Sequence, residues 1–163
     1  MPARTEEEQL QRGLDLAYAY INRRDRSVAE VRAQLERKGV SERLRGAAIE
    51  TLCEQGFLND DRFAHLFVSD KRTLEQWGSD RIRRGLLARG IDRDLADAAL
   101  AETPVDEAGE ETELDRALAL LRRRFPDPPD DRRERERALG VLLRKGYESD
   151  LALDALAAHA RGD

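Results

Sequence analysis

Three ten-residue stretches of the chain read alike: Val31-Arg-Ala-Gln-Leu35-Glu-Arg-Lys-Gly39-Val40, Ile82-Arg-Arg-Gly-Leu86-Leu-Ala-Arg-Gly90-Ile91 and Ala138-Leu-Gly-Val-Leu142-Leu-Arg-Lys-Gly146-Tyr147. Each opens on an apolar residue, places Leu four positions on, then a cation, then Gly, then a second apolar residue. Positions four apart share one helix face, so Val31 and Leu35 can look into a common core. The glycine falls where the helix must stop, because a left-handed residue is cheapest without a Cβ. Arg37 with Lys38, Arg89, and Arg144 with Lys145 occupy the last turns, where the helix dipole favours cations. The glycines stand 51 and then 56 residues apart. A period of that size is the mark of a repeated supersecondary unit.

Around each decamer lie further helical signals. Alanine-centred apolar stretches near Ala17, Ala64 and Ala117 precede the decamers, and a second periodic stretch follows each. Ser27-Val-Ala-Glu30 is a capping box, Asn59 or Asp60 can cap the helix of Phe63 and Phe67, and Asp131 with Glu134 can cap another. Phe125-Pro-Asp-Pro-Pro129 must interrupt helix. The spacing predicts nine helices, at residues 10–23, 28–38, 42–55, 60–74, 79–89, 92–101, 112–125, 131–145 and 149–160. The fold class expected is all-α, three tandem three-helix repeats in an elongated, modular arrangement, since each unit alone buries only a thin core.

Composition agrees. Leu and Ala supply 45 of 163 residues, whereas Val, Ile and Thr supply 15, which argues against a sheet protein. No apolar run approaches the roughly 20 residues that span a bilayer, and the polar stretch Met1–Glu8 does not resemble a signal peptide. One cysteine, Cys53, excludes an internal disulfide and suits a reducing cytosol, so a cytoplasmic location is expected. The net charge of −5 is localised. Residues 1–58 carry ten basic and ten acidic groups, residues 59–100 eight of each, and residues 114–163 eleven against ten. Ala101–Glu113 holds six acidic residues and no basic one, which reads as a solvated linker. The expected organisation is therefore repeat 1 at 1–58, repeat 2 at 59–101, an acidic linker at 102–113 and repeat 3 at 114–163.

The repeat and its flanks resemble the RecX family, regulators of the RecA recombinase. The stretch from Arg23 to Gly39 is similar to that family's first repeat. Gly56-Phe-Leu-Asn59-Asp-Asp-Arg-Phe63-Ala64 resembles its inter-repeat motif, and Trp77-Gly-Ser-Asp-Arg81-Ile82 through Ile91 its second repeat. The resemblance spans roughly residues 14–157 and is weakest in the third repeat, where Gly140 sits inside the helix. It implies three three-helix repeats, no catalysis, and binding to RecA, chiefly in the groove of the RecA–single-stranded DNA filament. It further implies lowered ATP hydrolysis, co-protease action and strand exchange by RecA.

The residue inventory offers little to an enzyme. Two histidines, His65 and His159, and one cysteine form no metal-ligand spacing, and no phosphate-binding glycine loop occurs, so no cofactor is expected. Cys53, beside Ile49 and Leu52, reads as a packed thiol. His65 with Asp61 reads as a surface helical pair, and Asn59-Asp60-Asp61 as a helix cap in preference to a metal cluster. Binding candidates are the cations Arg23, Arg24 and Arg26, Lys71 and Arg72, Arg81, Arg83 and Arg84, and Arg132 and Arg133. Many lie at helix C-termini, where the dipole alone accounts for them. The dipole explains the run Arg23-Arg24-Asp25-Arg26 less well, and Arg81, Arg83 and Arg84, near a helix start, less well still; these two groups suit DNA phosphates or an acidic partner surface. The 26 Arg against 3 Lys suit bidentate recognition, although genome composition produces the same ratio. Two other classes remain open at this level: a stand-alone helix-turn-helix DNA binder, acting on single- or double-stranded DNA, and an α-helical interaction scaffold. A monomer without membrane attachment is expected for the RecA regulator, whereas a helix-turn-helix reader often needs a dimer and a basic domain.

Overall fold

Ser27 shows how locally the helices are specified: its hydroxyl accepts the Glu30 N–H while the Glu30 carboxylate accepts the Ser27 N–H, closing the expected capping box. Asn59 accepts from the Arg62 N–H and Asp131 from the Glu134 N–H. The computed structural model describes residues 2–102, 105–106 and 109–163, the side chains of 103–110 excepted. Its helices are α1 Glu6–Ile21, α2 Val28–Arg37, α3 Glu42–Glu54, α4 Asp60–Thr73, α5 Ser79–Ala88, α6 Arg93–Ala101, α7 Glu113–Arg124, α8 Arg132–Lys145 and α9 Ser149–Arg161. None is long and apolar enough to cross a membrane.

The decamers are helix ends of one geometry. Gly39, Gly90 and Gly146 have φ of 78°, 76° and 96°. The residue after each reaches back to the Leu carbonyl, Val40 to Leu35 at 3.0 Å, Ile91 to Leu86 and Tyr147 to Leu142 at 3.1 Å. These bonds satisfy carbonyls that a helix end would leave orphaned. The three leucines are fully buried, with Val40, Ile91 and Tyr147 closing over them.

Three separate cores result, one for each three-helix unit. They centre on Ala17, Leu35 and Leu52, on Ala64, Leu86 and Ala96, and on Ala117, Leu142 and Ala152. The first helix of each unit packs on the third, α1 on α3, α4 on α6 and α7 on α9. Ala17, Ala64 and Ala117 are wholly buried at those crossings, where a small side chain lets the helices approach.

Between units, the start of one middle helix abuts the end of the next. Ser27 Oγ donates to the Arg89 carbonyl at 2.6 Å. Gly78 N–H donates to the Lys145 carbonyl at 2.8 Å and Asp80 N–H to that of Gly146 at 3.1 Å. Thus α8, α5 and α2 run head to tail, positive helix starts against negative helix ends. The approach leaves no room for side chains: a Cβ on Gly90 would lie 2.3 Å from Ala29 Cβ, and one on Gly146 2.2 Å from Arg81 Cβ. At Gly39 nothing lies within 4 Å, and Arg12 Nη2 donates to the Lys38 carbonyl at 3.0 Å instead.

Some expectations fail. Helix α1 begins at Glu6, not 10, because Thr5 and Glu8 form a capping box and Glu6–Glu8 complement the dipole. Cys53 is exposed, not packed. The core stripe of α3 is Leu44, Ala48 and Leu52, and Cys53 lies about 100° further round the helix. Within the acidic stretch a short antiparallel pair forms, β1 Val105–Asp106 with β2 Gly109–Glu110, before Thr112 caps α7. Residues 103–104 and 107–108 of the expected linker, with the carboxylates of Asp106, Glu107 and Glu110, lie outside the described residues.

Gly39→Ala should lower stability by about 1 kcal/mol, the cost of a left-handed alanine. Gly90→Ala adds the collision with Ala29 and should lower the denaturant midpoint further. Equal midpoints would mean that the junction contributes nothing.

Candidate partner-binding surface

On α4, Phe63, Phe67 and Lys71 follow at four-residue spacing and so share a face. The two rings stack at 6.1 Å. The turn after α4 lays Trp77 edge-on to Phe67 at 6.4 Å, with Lys71 Nζ 4.6 Å from its ring centre. Arg81, from the first turn of α5, places its guanidinium 4.1 Å from the same ring. Arg89, from the end of α5, sits 4.8 Å from Phe67. Gly85 makes room, since a Cβ there would touch Phe67 Cζ at 3.0 Å. Cations and aromatic rings thus alternate along one face, each contact worth about 0.5–1 kcal/mol at exposed sites.

The ladder continues at both ends. Toward the first unit, Arg24, Phe63, Leu66, Lys71, Leu74 and Arg89 line a groove of about 500 Å³, together with the carboxylates of Asp25, Asp70 and Glu75. Leu66 and Leu74 are exposed there. Toward the third unit, Arg81, Arg124, Arg144 and Lys145 surround a depression of about 200 Å³ with Val141 and no carboxylate. Cations clustered without an acid raise the local potential and favour an anionic partner. The strip therefore draws on all three units while each stays close to neutral.

The family models for RecX match the chain in three parts. The first three-helix domain matches residues 14–52, the second 59–100 and the third 111–156. The chain belongs to the RecX family. A protein named Regulatory protein RecX from Trichlorobacter lovleyi is 35% identical over 138 residues, covering 83% of this chain and 87% of that one. One of the same name from Leptothrix cholodnii is 34% identical over 140 residues, covering 86% and 84%. The crystal structure of RecX from Lactobacillus salivarius superposes with a TM-score of 0.79 at 21% identity over 96% of this chain and 99% of that one, which shows the shared fold. The two relatives are named as regulatory proteins.

Of the ten candidate cations, the structure brings Arg24, Lys71 and Arg81 into the strip. Arg24 also pairs with Glu30 at 2.9 Å. Arg26 lies over Tyr20 at 3.8 Å and donates to its carbonyl, while Arg23 is exposed nearby. Arg83 pairs with Asp97 at 2.8 Å, which ties α5 to α6. Arg84 is exposed and meets the Asp80 carbonyl at 3.4 Å. Arg132 pairs with Glu136, and Arg133 is exposed beside it. Both open α8, roughly 20 Å along the helix from Lys145.

Arg72 is a correction. It is only 8% exposed, and its Nη1 and Nη2 donate to the carbonyls of Glu102 at 3.1 Å and Leu100 at 2.8 Å, closing the end of α6. Desolvation, then nearby Arg116, lowers its pKa. The signal was present: Ala64, Val68 and Arg72 share the inward stripe. Arg89, Arg144 and Lys145, which the dipole explained in the sequence, belong to the strip, as do Phe67 and Trp77.

Both histidines have structural partners. His159 is buried with Nε2 2.7 Å from the Phe125 carbonyl. His65 pairs with Asp61 as expected, its Nδ1 3.6 Å from that carboxylate and 2.8 Å from the same residue's carbonyl, and its Nε2 reaches Glu102 at 3.0 Å. The carbonyl bond raises the His65 pKa, desolvation opposes it, and the carboxylates add to the rise. The exposed thiol of Cys53 is pushed up by desolvation and then by Asp60, away from a reactive thiolate. Asp130, Asp131 and Glu134 bring carboxylates within 4.8 Å of one another, exposed, where Asp131 caps α8.

Arg72→Ala should cost about 2 kcal/mol by leaving buried carbonyls unpaired, against nearly nothing for Arg84→Ala in urea unfolding. His65, with its folded pKa raised, stabilises most below its unfolded value near 6.5 and loses that contribution as pH rises through the folded value. His65→Gln should therefore remove part of the stability difference between pH 5.5 and pH 8, as read from melting temperatures.

Proposed function

We propose that this chain is a non-enzymatic regulator that binds RecA and RecA–single-stranded DNA filaments and lowers their ATP hydrolysis, co-protease action and strand exchange. Family membership across all three helical domains carries the reading. It acts as a monomer in the cytoplasm, with units bounded at 1–58, 59–101, 102–113 and 114–163. The strip suits an anionic partner surface and, running over three units, engages it at several linked points, each raising the effective concentration of the next. The cation cluster around Arg81 also favours a second reading, direct binding of nucleic-acid phosphates. Salt separates the two, since a phosphate binder loses affinity steeply with ionic strength and a protein-surface binder less so.

In a cognate RecA ATPase assay on single-stranded DNA, the protein should suppress hydrolysis and show no turnover alone. An unchanged rate at several-fold molar excess, with folding verified, would refute the reading. Arg124→Glu with Arg144→Glu changes exposed strip residues and should weaken filament binding about ten-fold. Arg132→Glu with Arg133→Glu, off the strip, should leave it near the original value. Equal losses would count against the strip.

A further inference from the structure

The turn that carries Trp77 is held from outside its own unit. Gln76 has φ of 54°, a left-handed conformation that L side chains avoid. Its carbonyl accepts the Tyr147 hydroxyl at 3.2 Å, and that of Glu75 accepts Lys145 Nζ at 2.8 Å. Just beyond, Gly78 and Asp80 donate their N–H groups to the end of α8, and Arg81 Nη1 donates to the Arg144 carbonyl at 3.1 Å. Ser79 N–H also donates to the Glu113 carboxylate at the start of α7, so six hydrogen bonds run from Glu75–Arg81 to the third unit. From its own unit the turn is bonded through Trp77 N–H to the Lys71 carbonyl at 3.0 Å and through the Gly78 carbonyl, which accepts the Ile82 N–H at 3.2 Å.

We infer that docking of the third unit, through Lys145 and Tyr147, sets the Gln76–Gly78 turn and thereby assembles the stack of Lys71, Trp77 and Arg81. A strained residue persists only while its surroundings over-determine it. Here the surroundings are the end of α8 and Tyr147, whose ring is buried in the third core and moves with it. When the third unit swings away, Gln76 relaxes to negative φ, the chain leaves Gln76 in a new direction, and Trp77 parts from Arg81. The packing between units is slight beside that within them, so this opening lies at the low-stability end of the molecule's motions. The third unit therefore regulates the strip on the second. The regulatory meaning rests on the strip's role proposed above; the mechanical coupling does not.

Trp77 is the chain's single tryptophan, so its fluorescence in the full-length protein reads the turn directly. Gly78 has φ of −80°, which alanine adopts freely, yet a Cβ there would lie 2.5 Å from the Gly146 carbonyl. Gly78→Ala consequently pushes the third unit away without straining the turn itself. Acrylamide quenching of Trp77 should rise about two-fold in Gly78→Ala, with helical circular dichroism retained. Tyr147→Phe, which keeps the ring and loses the bond to Gln76, should move quenching the same way by less, and it carries the test if Gly78→Ala unfolds. Wild-type quenching in the folded variants overturns the coupling. If quenching rises while RecA-filament binding does not fall, the coupling stands and the strip is not the partner surface.

Discussion

A helix start lodged against a left-handed glycine is the contact on which the molecule depends. Each three-helix unit has a core of its own but little apolar surface to share, so units cannot be joined by hydrophobic area alone. They are joined by groups that helices leave unsatisfied, the first N–H donors of one and the last carbonyls of another. Ser27 serves both ends of this chemistry, capping its own helix and donating to the Arg89 carbonyl. Gly78 does the same work with bare backbone, possible only because neither Gly78 nor Gly146 carries a side chain. The dipoles of α8, α5 and α2 align as a consequence, and the alignment favours the arrangement further.

The column also has finished ends. Arg12 takes the carbonyl at Lys38 where another unit would otherwise dock, and Asp131 caps the start of α8. Both helix ends of the column are thus satisfied by polar side chains.

The candidate surface grows from the same contact. Arg89 sits at one junction, and Arg81, Arg144 and Lys145 gather at the other. Cations at the ends of α5 and α8 complement a helix dipole and, once the units are stacked, become neighbours across a boundary. Segregation of charge therefore needs no basic unit. Around Arg81, Arg124, Arg144 and Lys145 no carboxylate lines the surface, and Asp97 is turned to Arg83 instead, whereas Asp25, Asp70 and Glu75 share the groove toward the first unit.

The helices of the described residues, the caps at Ser27, Asn59 and Asp131 and the three glycine stops were legible in the sequence because each depends on residues within about one turn of one another, while the box of Thr5 and Glu8 was missed. Ser27 with Glu30, or Leu35 with Gly39 and Val40, is a complete local argument. The inward stripe of Ala64, Val68 and Arg72 was equally local, but a cation at a helix end has a solvent-facing explanation that hides it. The face of Phe63, Phe67 and Lys71 is local, but the strip across units was not legible, because the contacts that join the units link residues far apart in the chain. Tyr147 meets Gln76 across 71 positions and Ser27 meets Arg89 across 62. Helical periodicity says which side chains share a face and nothing about which helix end will find which glycine. That was decided by packing, where two missing Cβ atoms let backbones touch and set Trp77 between Lys71 and Arg81.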